Sequence, residues 1–246
     1  MKVARILGVP FSTKGLQDTV QHLTDLVKLG ERTHVVTANP EIVMLSQGNK
    51  NMARLMEQAY IVPDGIGIIY AARWLNAPIR ERVTGVELLE HLMIQANENH
   101  WGVYLLGASP EVNEKAAEVL QERFPQAKIV GRQNGYFKPE EEARIVADIQ
   151  EKKPNLLFVA MGAPKQDEWI AKHWNALPVS LAMGVGGCLD VISGKVKRAP
   201  KMWQQLHLEW LYRLVKDPSR WRRQLAIPHF VATVLWNRLK KRSESQ

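Results

Sequence analysis

Gly102-Val103-Tyr104-Leu105-Leu106-Gly107-Ala108-Ser109-Pro110-Glu111 is one complete strand–loop–helix unit. The run 102–107 is too apolar to alternate in and out of water, so it reads as a strand covered on both faces. Gly107 and Ala108 make the turn. Ser109 is a good N-cap, Pro110 suits the first helical position, and Glu111 favours the positive end of the helix. The same order recurs at His34-Val35-Val36-Thr37, a β-branched strand followed by Asn39-Pro40-Glu41. It recurs again at Leu156–Gly162, the most hydrophobic strand candidate, followed by the helix start Ala163-Pro164-Lys165-Gln166.

Working outward, residues 3–11 read as a strand entering a turn, and Leu16, Val20, Leu23 and Val27 give 14–29 a helical period. Further strands are expected at Tyr60–Pro63, Lys128–Gly131 and Val179–Gly184, and further helices at 84–99 and 139–152. Strands alternating with helices imply an α/β fold: a Rossmann-like, mostly parallel sheet with helices on both faces. Ligands of such sheets bind at the carboxyl ends of the strands. Five strand ends are polar or glycine-rich: Thr37-Ala38-Asn39, Asp64-Gly65, Gly107-Ala108-Ser109, Gly162–Gln166 and Gly184–Asp190. Together they are expected to line one crevice.

The pattern changes near residue 195. After Gly194 there are 13 Lys/Arg against 3 Asp/Glu, whereas the first 194 residues carry 20 against 22. Half of the eight tryptophans lie in this last stretch. Residues 200–216 place Trp203, Leu206, Trp210, Leu211 and Leu214 along one helical face, Asp217-Pro218-Ser219 breaks it, and an apolar run over 225–239 ends in Lys240-Lys241-Arg242. The expected division is therefore an α/β core over 1–195 and a basic helical appendage over 196–246. A neutral body with a basic tail points to a polyanion. Tryptophans beside clustered arginines fit an element lying in a membrane interface, or else a core-packed helix with a basic outer face. Nothing resembles a nucleic-acid-binding motif. Cys188 is the single cysteine, so no internal disulfide is expected. The first residues lack a long apolar stretch, so no signal peptide is expected, and no apolar run is long enough to span a bilayer.

Several positions have the chemistry of a site. Asp64, between a strand and a glycine, is a candidate general base or simply an Asp-Gly turn. Gly65-Ile66-Gly67-Ile68-Ile69-Tyr70 nearly spells a dinucleotide fingerprint, but Tyr70 stands where a third small residue belongs. Gly184, Gly186 and Gly187 offer either a diphosphate cradle or a plain tight turn. Thr37 and Asn39 flank a helix start, where Asn39 is also an ordinary N-cap. Gln166 can hydrogen-bond a sugar or base. Arg80 and Arg82 can hold phosphate. Lys165 and Asp190 complete the substrate-binding candidates. The sequence holds no Asp-x-Asp, His-Glu-x-x-His, Cys-x-x-Cys, Gly-x-x-x-x-Gly-Lys-Ser/Thr or Gly-x-Ser-x-Gly, so no metal site, no cofactor and no serine hydrolase chemistry is expected.

Taken together, Thr37-Ala-Asn39-Pro-Glu41, Pro63-Asp64-Gly65, Arg82-Val-Thr-Gly85, Asn134-Gly-Tyr-Phe137, Met161–Gln166, Met183–Gly187, Gly194–Pro200 and Leu208-Glu-Trp-Leu-Tyr-Arg213 resemble the WecG/TagA/CpsF family, glycosyltransferase family 26. The resemblance runs over essentially the whole chain and looks nearest to its TagA branch. It implies an inverting, metal-independent transferase at the cytoplasmic face of the cell membrane, bound peripherally through its tail to anionic lipid. TagA-like members move N-acetylmannosamine from UDP-N-acetylmannosamine to undecaprenyl-diphosphate-GlcNAc, in teichoic acid linkage-unit synthesis. The family's catalytic aspartate falls on Asp64. Its other active-site positions fall on Thr37, Asn39, Arg82 and Gln166, and the tail arginines that complete the site fall on Arg213, Arg220 and Arg223. The alternatives are a UDP-N-acetylmannosaminuronic acid donor, a nucleotide-binding oxidoreductase, or a basic membrane or nucleic-acid adaptor. No nucleic-acid partner is expected, and a homo-oligomer stays open.

Overall fold

The structure is a computed structural model that describes residues 2–200, 202–203, 208–216, 221 and 225–243, with the side chains of Arg213 and of 241–243 outside the description. In chain order the strands are β1 (Val3–Ile6), β2 (Val9–Ser12), β3 (Thr33–Ala38), β4 (Tyr60–Pro63), β5 (Gly102–Gly107), β6 (Lys128–Gln133), β7 (Leu156–Ala160) and β8 (Leu181–Gly184). They form one eight-stranded sheet in the order β1-β2-β4-β3-β8-β7-β5-β6. All neighbouring pairs are parallel except β1 with β2. Hence β3, β4, β5, β7 and β8 deliver their carboxyl ends to the same edge, as the alternation predicts.

The helices are α1 (Leu16–Lys28), α2 (Pro40–Gly48), α3 (Lys50–Gln58), α4 (Ile66–Trp74), α5 (Gly85–Asn99), α6 (Pro110–Arg123), α7 (Glu142–Lys152), α8 (Lys165–His173), α9 (Cys188–Ile192), α10 (Glu209–Lys216) and α11 (Ala226–Ser243). Two starts follow the expected cap chemistry: Asn39 accepts the Ile42 N–H and Ser109 the Val112 N–H. Thr84, not named as a cap from the sequence, does the same for α5 by accepting the Glu87 N–H.

Strand residues alternate between two apolar layers. Val35, Val103, Leu105, Phe158 and Met183 join α1, α5, α6 and α9 on one face. Val36, Ala38 and Ile61 join α2, α3 and α4 on the other, while Tyr104, Leu157, Val159 and Ala182 meet α7 and α8. Burial on both faces explains why the central strands read as continuous apolar runs.

One expectation needs correction. Residues 3–11 are not one strand: Leu7 (φ 48°) and Gly8 (φ 83°) turn the chain into an antiparallel hairpin. Because Leu7 is apolar, the turn is hidden inside a hydrophobic run. The incomplete fingerprint after Asp64 opens α4, with Gly65 at φ 87° as its N-cap. Tyr70 on that helix is exposed, so it does not press against the strand.

Beyond residue 200 the described chain is helical. Phe230 and Val234 of α11 are fully buried in the same apolar layer as Ile42 and Ile68. Leu235, Trp236 and Leu239, on another side of α11, stay exposed, Trp236 at 72%. Among the described residues no helix is long and apolar enough to cross a membrane. Leu206, Asp217-Pro218-Ser219, Arg220 and Arg223 lie outside the described residues.

Candidate active site

The β4–β3–β8–β7–β5 edge assembles most of the predicted residues. Asp64 follows directly on β4, where its N–H donates to the Ala38 carbonyl of β3 at 3.0 Å. Its backbone is therefore a continuation of the sheet. The next residue, Gly65, is packed so that an added Cβ would meet Asn39 and Pro40 at 3.6–3.7 Å. Gly67 approaches closer still: a Cβ there would lie 2.7 Å from the Pro40 ring. Asp64 and Asn39 thus sit on adjoining strand exits locked together by the two helix starts.

Arg82 is tethered to this corner through its neighbour. The Val83 N–H donates to the Pro63 carbonyl at 2.9 Å. The guanidinium of Arg82 lies 3.7 Å from the Glu209 carboxylate of α10, and both side chains are largely shielded. Thr37 is the last residue but one of β3 and faces α5 and α9. Its hydroxyl donates to the Gly184 carbonyl of β8 at 3.4 Å. A Cβ at Gly85 would come within 3.4 Å of that hydroxyl and 3.5 Å of the Cys188 sulfur, so α5 and α9 converge on Thr37.

Gln166 has a role that the sequence did not disclose. It is buried, and its side-chain carbonyl accepts the Gly162 N–H at 3.1 Å and the Gly186 N–H at 2.9 Å. One amide therefore ties together the loops after β7 and β8. With two donors fixing the carbonyl, the NH2 end is turned toward Gly184, where a Cβ would lie 2.4 Å from it. The Gly186 N–H is consequently already engaged inside the protein. Gly187, whose added Cβ would meet only Asp190 at 3.8 Å, stands at the open side of the turn. Lys165 is exposed with its ammonium 5.6 Å from the Phe137 ring, on the loop that carries exposed Tyr136.

A charged cluster closes one wall. The Thr84 hydroxyl donates to Glu87 Oε2 at 2.7 Å, and Arg198 Nη2 donates to Glu87 Oε1 at 2.7 Å. Burial pushes the Glu87 carboxyl up, but the bonds from Thr84 and Arg198 and the charges of Arg198 and Arg82 outweigh it and hold it below its ordinary value. Arg198 is the mirror case. Burial opposes its charge, and Glu87, Glu209 and Glu90 more than compensate, so it is firmly cationic. Arg198, Glu87 and Glu209 were missed from the sequence. The available signals were Thr84-x-x-Glu87, a capping-box spacing, and the place of Arg198 and Glu209 inside the motifs Gly194–Pro200 and Leu208–Arg213. Among the described residues no group of three or more His, Cys, Asp or Glu side chains is placed to hold a metal ion.

The family model for glycosyl transferases of the WecG/TagA/CpsF type matches residues 4–244. The chain belongs to this family. As a WecG/TagA/CpsF glycosyltransferase it is similar to an N-acetylglucosaminyldiphosphoundecaprenol N-acetyl-beta-D-mannosaminyltransferase of Bacillus spizizenii, 37% identical over 96% of this chain and 91% of the relative. An enzyme of the same name from Staphylococcus aureus is 39% identical over 92% of this chain and 89% of its own. The match includes the residues of α10 and α11, so the helical end is part of the family's shared length.

Proposed function

We propose that the protein transfers N-acetylmannosamine from UDP-N-acetylmannosamine to undecaprenyl-diphosphate-GlcNAc, with inversion and without a metal, and that Asp64 is the general base. The observation that carries this reading is the corner where backbone hydrogen bonds set the Asp64 segment beside those of Asn39 and Arg82, at the strand edge where parallel sheets bind ligands. The names and near full-length similarity of the relatives support the choice of donor and acceptor.

In the proposed step, Asp64 takes the proton of an acceptor sugar hydroxyl as that oxygen bonds to the donor's anomeric carbon. The bond from that carbon to the UDP oxygen breaks, and UDP leaves with the electron pair. The transition state has oxocarbenium character, which a nearby carboxylate also stabilises. Charge grows on the departing diphosphate and needs cations and N–H donors aimed at it. Arg82 and Lys165, the turn at Gly184, Gly186 and Gly187 with Asp190 beside it, and the tail's Arg213, Arg220 and Arg223 are the proposed supply. Because the Gly186 N–H is held by Gln166, we assign the N–H contribution of this turn to Gly187. Thr37 and Gln166 shape the floor.

The proposal divides the chain into a UDP-sugar-binding core (1–195) and an appendage (196–246) that holds the enzyme peripherally on the cytoplasmic membrane face. Exposed Trp210, Trp221, Trp236 and Leu239 and the basic excess of the tail suit an anionic interface. A UDP-release assay with a short-chain diphosphate-lipid GlcNAc acceptor and a panel of UDP-sugars tests the reading. Turnover with UDP-N-acetylmannosamine supports it. Turnover only with the uronic acid donor, or with none, overturns it.

A further inference from the structure

Glu209 begins α10, and its carboxylate is pinned between two arginines from different parts of the core. One oxygen lies 3.7 Å from Arg82, in the loop between α4 and α5. The other lies 3.8 Å from Arg198 Nε, in the segment joining the sheet to the appendage. Its side chain is only 12% exposed, which is unusual for a glutamate unless it is paired.

Arg198 is itself held on its far side by Glu87 at 2.7 Å, and Glu87 is fixed by the cap residue Thr84 at the start of α5. The guanidinium therefore has little freedom. Its Nε–H is buried and makes no hydrogen bond, yet it faces the Glu209 carboxylate. An approach of under an ångström would turn the 3.8 Å contact into a charge-assisted hydrogen bond. Removing the carboxylate would leave two shielded arginines facing each other without their shared counter-ion, which is costly at a partly desolvated position.

We propose that Glu209 is a positioning residue that seats α10 on the mouth of the crevice through Arg82 and Arg198. It thereby sets where the appendage stands for the transfer reaction. Arg213 is one helical turn further along the same helix, so the seating of Glu209 fixes the height of that turn above the site. The seating is a property of the folded protein alone. Its effect on transfer rests on the function proposed above.

The test uses the full chain with Glu209→Gln, Arg198→Gln and both together. Without substrate, hydrogen exchange of amides in 209–216 should speed up by about tenfold or more in Glu209→Gln while exchange in β3, β4 and β5 is unchanged. Turnover with the UDP-sugar should fall about tenfold or more, mainly in kcat, with co-sedimentation on anionic vesicles unchanged. The double variant should fall short of full additivity, because both changes break the Glu209–Arg198 contact, while Glu209 alone also holds Arg82 and Arg198 alone also holds Glu87. Unchanged exchange in 209–216 overturns the seating, whatever the chemistry. Faster exchange with undiminished turnover overturns the positioning role, as does full additivity in the double variant. If the wild-type protein transfers no sugar, the function proposed above has failed, and the exchange result alone decides the seating.

Discussion

Replacing Gln166 with Met tests whether one amide holds two loops of the crevice. The side chains are close in volume and both unbranched, so packing beside Asp167 and Gly184 is little changed. What is lost is the carbonyl that accepts from Gly162 at 3.1 Å and from Gly186 at 2.9 Å. An orphaned buried N–H costs about 1–3 kcal/mol. Both sites are only part-buried, so water recovers some of that, and about 2–4 kcal/mol is the expected loss. For a chain of this size each kcal/mol lowers Tm by about 2–4 °C, which gives a fall of roughly 5–15 °C. Thermal unfolding followed by circular dichroism reads it, and hydrogen exchange at Gly162 and Gly186 should rise in parallel. A Tm within about 1 °C of wild type, with both amides still protected, would refute the stapling role.

Three further outcomes follow from the same geometry. Gly107→Ala places a Cβ 2.3 Å from the Ala160 carbonyl oxygen at φ 115°, and should destabilise by more than about 3 kcal/mol or abolish soluble expression; a wild-type urea midpoint would contradict it. Glu87 has its folded pKa held below its ordinary 4.5, so its contribution is present above that value and is lost as pH falls through the lower folded value. The stability–pH curve of Glu87→Gln should therefore run flatter than wild type below about pH 4.5, and superimposable slopes would rule the linkage out. Trp236→Ala with Leu239→Ala should weaken co-sedimentation with anionic vesicles several-fold without moving Tm, and undiminished binding would remove α11 from the proposed interface.

Local features were legible from sequence where the signal is local. Asn39-Pro40 and Ser109-Pro110 name their own helix starts because the capping oxygen and the bonded N–H are three residues apart. The apolar runs of β5 and β7 reveal strands buried on both faces. The hairpin at Leu7-Gly8 was hidden because a turn made by an apolar residue at positive φ leaves no polar mark. Helix α4 went unnamed because its N-cap is Gly65, which makes no side-chain capping bond. Within the site, Arg82, in the loop before α5, was tied to the other positions only by the family resemblance, whereas Thr37, Asn39 and Asp64 could be brought to one edge from alternation alone. The bond between Arg198 and Glu87 could not, since 111 residues separate the partners and neither stands in a strand end. Gln166 shows the other limit: sequence offers an amide, and only the fold decides that its carbonyl faces two loops.

The account stands most directly on Asp64. In a single-turnover assay with UDP-N-acetylmannosamine and a short-chain diphosphate-lipid GlcNAc acceptor, Asp64→Asn should slow transfer by about 10²–10⁴-fold while UDP affinity stays within about threefold of wild type. Transfer by Asp64→Asn at a rate near wild type would contradict the assignment of the base.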